Sequence, residues 1–154
     1  MVALKRTTMA LHNDIGVWGE ETAANLLNQK GYQIRERNWR TGHWEVDIIA
    51  EDKQYIVFVE VKTRSSLFGD KLPEEYVDKD KERLICMAAQ VYVKRHSINK
   101  DIRFDIVSLL VDPSTHSIRR LEHIEEAFYP PLRTIHAGSY SGYKRKNQRR
   151  AFSF

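Results

Sequence analysis

Asp47, Glu60 and Lys62 are residues of types and spacing that suit the hydrolysis of a phosphodiester. They fall in the stretch Trp44 to Arg64, WEVDIIAEDKQYIVFVEVKTR, where two runs rich in Val, Ile, Phe and Tyr flank the polar Glu51-Asp52-Lys53-Gln54. Short runs of β-branched and aromatic residues on either side of a polar connection predict a β-hairpin. Side chains alternate along a strand, so Ile56, Phe58, Glu60 and Lys62 share one face, and Glu45, Asp47 and Ile49 share a face on the other arm. A turn near Asp52 to Gln54 sets Asp47 opposite or diagonal to Glu60, with β-carbons roughly 5–8 Å apart.

Facing carboxylates repel unless water or a cation lies between them. A hard divalent ion, Mg²⁺ or alternatively Mn²⁺, takes oxygen ligands, keeps waters and lowers the pKa of a bound water that attacks phosphorus. Lys62 would orient that water or neutralise charge on the phosphate oxygens. The competing reading is a charged strand end in which Lys62 neutralises Glu60 as a surface ion pair worth little. The apolar neighbours Phe58, Val59 and Val61 favour an interior strand, where an unpartnered Glu60 would cost several kcal/mol.

Other elements must position these groups. Residues from Asn13 or Asp14 to Lys30 predict a helix with the stripe Ile15, Trp18, Thr22, Ala23 and Leu26, stopped by Gly31. Glu20 lies on the shoulder of that stripe, either as a third acid of the hairpin's cation site or as a solvated edge glutamate. A short strand follows from Tyr32 to Asn38, then a loop from Trp39 to His43 whose Arg40, Gly42 and His43 would lie near substrate. Ser65 to Leu72 reads as a loop. A second helix runs from the cap Asp78 to about Arg95, its buried stripe being Val77, Lys81, Leu84, Ala88 and Val91. Lys81 on that stripe either snorkels past the core edge or contacts a phosphate.

Arg103 to Val111 reads as a buried strand reached by a right-handed crossover and parallel to the second arm of the hairpin. Asp105 within it has a structural partner in Arg103 or Lys81, or else a catalytic task. Ser117 to Leu121 gives an edge strand, and Ile124 to Phe128 one more helical turn.

At 154 residues and 42% apolar content the chain suits one domain with a core. The lone Cys86 forbids an internal disulfide, and no close His/Cys pair suggests structural zinc. No apolar run reaches the roughly 18 residues of a membrane span, and the first residues lack an apolar signal core, so a cytoplasmic location and no membrane partner are expected. The net charge of +4 is unevenly placed: residues 131–154 hold six of the 25 basic residues and none of the 21 acidic ones, leaving −2 on residues 1–130. The chain thus divides into an arm (1–12), a domain (13–129) and a basic flexible tail (130–154). In that tail Lys144, Arg145, Lys146, Arg149 and Arg150 are interleaved with Tyr140, Tyr143, Phe152 and Phe154, a mixture that can follow a phosphate backbone and stack on bases, or merely aid solubility.

The ordered set Gly19-Glu20, Gly31-Tyr32, Arg37-Asn38-Trp39, Glu45-Val46-Asp47, Phe58-Val59-Glu60-Val61-Lys62, Lys81 and Arg103-Phe104-Asp105 resembles the uncharacterised YraN-type bacterial family. That family is similar to archaeal Holliday-junction resolvases and to the restriction-endonuclease-like group with the PD-(D/E)xK motif. The resemblance covers about residues 13–128. It implies an α/β fold, a mixed four- to five-stranded sheet with a central β-hairpin flanked by helices. It further implies metal-binding Asp47 and Glu60, a catalytic Lys62, an accessory acid in Glu20, and a homodimer, since two cuts need two sites. Glu45 matches a family acid of unassigned role, and Trp44 stands where the family usually has glycine.

Two functions follow. The first is a Mg²⁺-dependent endonuclease acting on DNA, branched DNA included, with Glu20, Asp47, Glu60 and the Val61 carbonyl as metal ligands and Lys62 assisting the attacking water. The second is a module of the same fold that binds nucleic acid or protein without cutting, which the near-neutral domain and detachable basic tail favour.

Overall fold

Gly31 ends the first helix in the left-handed conformation its position suggested. The computed structural model describes residues 2–65, 78–112, 114–115 and 117–130, with residues 2–13 described by backbone alone. Helix α1 spans Val2–Gln29, beginning well before Asn13, so residues 2–12 are helical where a loose arm was expected. At its end Gly31 takes φ +89°, Tyr32 N–H donates to the Leu27 carbonyl and Gly31 N–H to that of Asn28, both at 3.0 Å. This is a helix stop through a left-handed residue, where glycine meets no steric cost. The buried face centres on Gly19, Ala23, Ala24 and Leu27, rotated from the expected stripe, and leaves Trp18 exposed.

The chain continues through β1 (Gln33–Thr41), β2 (Trp44–Glu51), β3 (Tyr55–Ser65), α2 (Lys79–Arg95), β4 (Asp101–Asp112) and β5 (Ser117–Ile124). The five strands form one sheet in sequence order. β1 with β2, β2 with β3 and β4 with β5 are antiparallel, whereas β3 and β4 run parallel, joined by the segment that contains α2. This is the mixed, helix-flanked sheet of the restriction-endonuclease-like fold. No helix among the described residues is long and apolar enough to cross a membrane.

β1 runs through Asn38 to Thr41, so the expected Trp39–His43 loop shrinks to a turn at Gly42-His43. Arg40 is therefore a strand residue, and its guanidinium pairs with Glu45 at 3.0 Å across the ladder. Segment 124–128 forms a turn rather than a helical one: Glu126 takes φ +52°, Ala127 N–H bonds the Phe104 carbonyl at 2.8 Å, and the Phe128 ring stacks on Phe104.

α2 begins at Asp78, whose carboxylate accepts from Asp80 N–H at 3.1 Å. Its fully buried residues are Ile85, Cys86, Ala88, Ala89 and Tyr92. The inward stripe is displaced by one position from the expected one, and Leu84 and Val91 are only half-buried. Val77 lies outside the described residues, as do the Ser66–Leu72 part of the expected loop and the tail cluster Lys144, Arg145, Lys146, Arg149 and Arg150.

Two cores result. Ile49, Ile56, Phe58, Phe104 and Ile106 pack with Ile85, Ala89 and Tyr92 of α2, while Ile48, Ala50, Val57, Val59, Val107 and Leu109 pack with Ala23 and Leu27 of α1. β3 is thus buried on both faces, as its near-continuous apolar run requires.

Candidate active site

β2 and β3 are paired from Glu51↔Ile56 to Ile48↔Val59, and the next position outward sets Asp47 against Glu60. Asp52 N–H donates to the Tyr55 carbonyl, which makes that pair a hydrogen-bonded one. Alternation along the ladder then makes 50/57, 48/59 and, by extension, 46/61 hydrogen-bonded pairs. In a continued ladder Val61 N–H would donate to the Val46 carbonyl. It donates instead to Asp47 Oδ2 at 2.8 Å. The strands therefore part at Asp47, and a carboxylate replaces a backbone acceptor. The Val61 carbonyl, on the same edge of β3 as its N–H, faces this split.

A second irregularity lies beside it in β1. Asn38 adopts φ +50°, a left-handed conformation that asparagine tolerates better than most residues. No 38/47 pair forms although 37/48 and 39/46 do. Val46 and Ile49 both lie in the core under α2, so the simple alternation expected for Glu45, Asp47 and Ile49 breaks at Asp47.

Glu60 is 2% exposed. Its Oε1 lies 2.9 Å from Lys62 Nζ and its Oε2 3.4 Å from Lys81 Nζ, yet Oε2 has no hydrogen-bond partner among the described residues. The surface ion pair weighed from sequence is thus a buried one, with a second lysine attached. Lys81 sits one turn before Ile85 on the inward face of α2, and it reaches the site along that face rather than snorkelling outward. Burial, and then the charge of Glu60, pushes the Asp47 carboxyl up to about 7; the Val61 N–H and Lys81 pull the other way, and Glu20 adds to the rise.

Glu20 approaches from α1, on the opposite side of the sheet from Lys81. Its Oε2 accepts from Asn38 Nδ2 at 2.9 Å, while neighbouring Glu21 pairs with Arg37 at 2.6 Å. The approach of α1 depends on Gly19: a β-carbon there would stand 2.0 Å from Thr63 Oγ1, so only glycine lets the helix close on β3 one residue past Lys62. Among the described residues no three acid, histidine or cysteine side chains converge closely enough to hold a metal by themselves. Glu20 therefore stands apart from the set formed by Asp47, Glu60 and the Val61 edge. Arg40 is engaged with Glu45 and is not part of that set either.

The donors present fit a hard divalent cation. Two carboxylates meet at a strand split, one oxygen is buried without a hydrogen bond, and a carbonyl faces the same gap, leaving further positions to water or phosphate. Asn38 and Gly19 belong to the sequence motif without an evident task there; their positions show that one holds Glu20 and the other admits α1.

A second polar cluster lies on the α1 side. Asp105, fully buried, accepts from Arg103 Nε (2.9 Å to Oδ1), Arg103 Nη2 (2.8 Å to Oδ2) and Glu126 N–H (3.1 Å to Oδ1), with His123 Nε2 2.7 Å from Oδ2. Arg103 also donates to Tyr32 Oη at 2.6 Å, and Lys30 Nζ meets His123 Nδ1 at 2.7 Å. Asp105 thus has Arg103 as its structural partner, with Lys81 elsewhere. The part of His123 was missed, because a lone histidine in an edge strand carries no pattern.

Residues 19–109 match the model of Uncharacterised protein family UPF0102. A UPF0102 protein of Bacteroides thetaiotaomicron is 46% identical over 125 residues, covering 80% of this chain and 99% of its own. One from Porphyromonas gingivalis is 46% identical over 120 residues (78% of this chain, 87% of its own), and one from Flavobacterium psychrophilum 42% over 122 (79% and 98%).

Proposed function

This chain belongs to the UPF0102 family, the YraN-type group its motifs resemble, and we propose that it is a Mg²⁺- or Mn²⁺-dependent endonuclease that hydrolyses DNA phosphodiesters. The observation that carries this reading is Glu60: a carboxylate buried at a strand split, facing a second carboxylate, with one oxygen lacking a hydrogen bond. Stability alone does not call for such an arrangement, since a buried, incompletely satisfied carboxylate costs several kcal/mol.

Asp47, Glu60 and the Val61 carbonyl would hold the cation, which supplies Lewis acidity and a water of lowered pKa. Asp47 is aimed by the Val61 N–H and gives up its proton when it acts as a ligand. Lys62, on the same strand face as Glu60, donates to the attacking water or to a non-bridging phosphate oxygen. Glu20, steadied by Asn38, faces the gap from α1 and would accept a proton through an intervening water. Lys81 of α2, the strand residue Arg40 and the tail residues Lys144, Arg145, Lys146, Arg149 and Arg150 are the cationic contacts for the nucleic-acid backbone. Branched DNA is the substrate form to try first, with a homodimer supplying the two cuts.

The test is cleavage of branched, nicked and single-stranded DNA with Mg²⁺ or Mn²⁺. Asp47→Ala and Lys62→Ala should each reduce the rate by a factor of about 10³ or more while the far-ultraviolet circular dichroism is unchanged. Unaltered nicking by either variant would refute the assignment. One observation favours a non-cutting binding module: two lysines, Lys62 and Lys81, lie within ion-pair distance of Glu60 and together balance its charge. On that alternative, DNA binding would persist with chelator present and no product would form with any divalent ion.

A further inference from the structure

Asp47 stands against Glu60 across the strand split, and the ammonium on the Oε2 side of Glu60 is that of Lys81. It lies 3.4 Å from Glu60 Oε2, and its charge acts on Asp47 as well. Lys62 is bound differently. It is 2.9 Å from the other oxygen, Oε1, extends from the same strand face two residues on, and is 19% exposed at its side chain against 34% for Lys81. The contact from Lys81 is loose enough that Oε2 has no hydrogen bond among the described residues.

A charge held beside Glu60 Oε2 and acting on Asp47, without hydrogen-bond geometry to Oε2, stands where a cation of higher charge would be favoured. Ammonium donors need directed N–H···O contacts to offset their lost hydration, whereas a divalent ion gains from each added oxygen. Lys81 is also carried by a different element from its partner, so it can withdraw by side-chain rotation alone. Lys62 withdraws less readily, because it is the more buried of the two lysines and holds Glu60 at the shorter distance.

We propose that Lys81 is a tethered placeholder for the divalent cation: before the metal binds it neutralises the carboxylate pair, metal loading is an exchange that expels its ammonium, and the expelled ammonium then faces the incoming phosphate. The inference rests on the metal-site reading above and adds to it a residue that sets metal affinity. Removing Lys81 tightens metal binding, the reverse of what a residue that merely supports the ligands would do.

Calorimetric titration of Mn²⁺ into the wild-type protein and into Lys81→Gln, without nucleic acid, tests it. The expected result is at least tenfold tighter binding by Lys81→Gln together with a lower melting temperature in chelator. Lys62→Gln serves as the comparison and should tighten binding far less. Equal affinity for wild type and Lys81→Gln, or weaker binding by the variant, overturns the placeholder while leaving the metal site standing. Absence of Mn²⁺ binding in wild type and both variants overturns the metal site itself, and the placeholder with it.

A measurement on the unaltered protein guards against a variant that folds poorly. Amine-reactive labelling, read by peptide mass spectrometry, should modify Lys81 several-fold faster once Mn²⁺ is added, with Lys62 changing less. Labelling of Lys81 that is indifferent to Mn²⁺ under conditions where the metal is bound would overturn the exchange.

Discussion

Glu60 of β3 and Asp105 of β4 are both buried carboxylates on neighbouring central strands, yet the molecule treats them in opposite ways. Asp105 has both oxygens satisfied, by the Arg103 guanidinium, His123 and the Glu126 N–H. Glu60 has two lysines near it, one oxygen without a hydrogen bond, and a second carboxylate across the gap. The titration behaviour divides likewise. Burial works against the ionised Asp105, but its hydrogen bonds to His123 and Arg103 outweigh that and hold the carboxyl below its ordinary value. At Asp47, burial and the charge of Glu60 act together and raise the carboxyl to about 7. A fully satisfied polar network fixes structure, whereas an incompletely satisfied one with a raised carboxyl is the kind of arrangement that clusters at functional sites. The two lie on opposite faces of one sheet, and only the Glu60 side leaves a buried carboxylate oxygen without a hydrogen bond among the described residues.

The largest effect that would sharpen this contrast comes from Asp105→Ala. It leaves Arg103 buried without its carboxylate, and breaking such a pair costs about 3–5 kcal/mol. Urea denaturation should register that loss, whereas Glu60→Gln, which leaves two half-buried lysines able to reach water, should change stability by about 1 kcal/mol or less. Equal losses from the two substitutions would erase the distinction between a structural network and a site.

Next in size, and opposite in sign, is Asp47→Asn. The folded carboxyl titrates near 7 instead of the usual 3.8, so the folded state holds a proton that the unfolded chain has lost between those values. Stability contributed by that proton is complete below about pH 4 and is lost as the pH rises towards 7, leaving the ionised, repelled carboxylate as a penalty above it. The amide of the variant cannot ionise. It should therefore gain about 1–2 kcal/mol over wild type at pH 8, a figure reduced for the water that reaches a half-buried group, and nothing at pH 4. Melting curves across that range in chelator measure it, and saturating Mn²⁺ should reverse the order by stabilising only the wild type.

The difference between the two clusters also marks what could be read from the chain. The hairpin, the parallel crossover and the Asp78 cap follow from local signals: β-branched runs about a polar turn, a long helix between two strands, a capping carboxylate ahead of a helix. The inward face of α2 differs from the expected one because Leu84, Ile85 and Cys86 are consecutive apolar residues, and spacing alone fits more than one stripe through them. β1 extends past its expected end because Arg40 and Thr41 belong to a half-exposed strand whose residues do not look like core. The opposition of Asp47 and Glu60 was legible from register. The parting of the strands was not, since it replaces a ladder hydrogen bond by one to the Asp47 side chain, nor was the second lysine on Glu60, which depends on how α2 is rotated.

The smallest expected effect probes the rim of the satisfied network. Lys30 carries only donors, so the 2.7 Å contact makes His123 Nδ1 an acceptor and leaves its proton on Nε2, directed at Asp105. The imidazole is thereby held in one tautomer, which nitrogen-15 resonances of the ring should report at neutral pH. Lys30 and Glu125 are themselves substantially exposed, 37% and 45% at their side chains, and exposed pairs contribute about 0–1 kcal/mol. Lys30→Met should thus leave stability within that range while removing the donor that fixes the tautomer, so that the ring nitrogen resonances move from their wild-type positions. A loss as large as that of Asp105→Ala would mean that the network depends on its solvent-facing edge. The satisfied carboxylate would then be no better insulated than the frustrated one across the sheet.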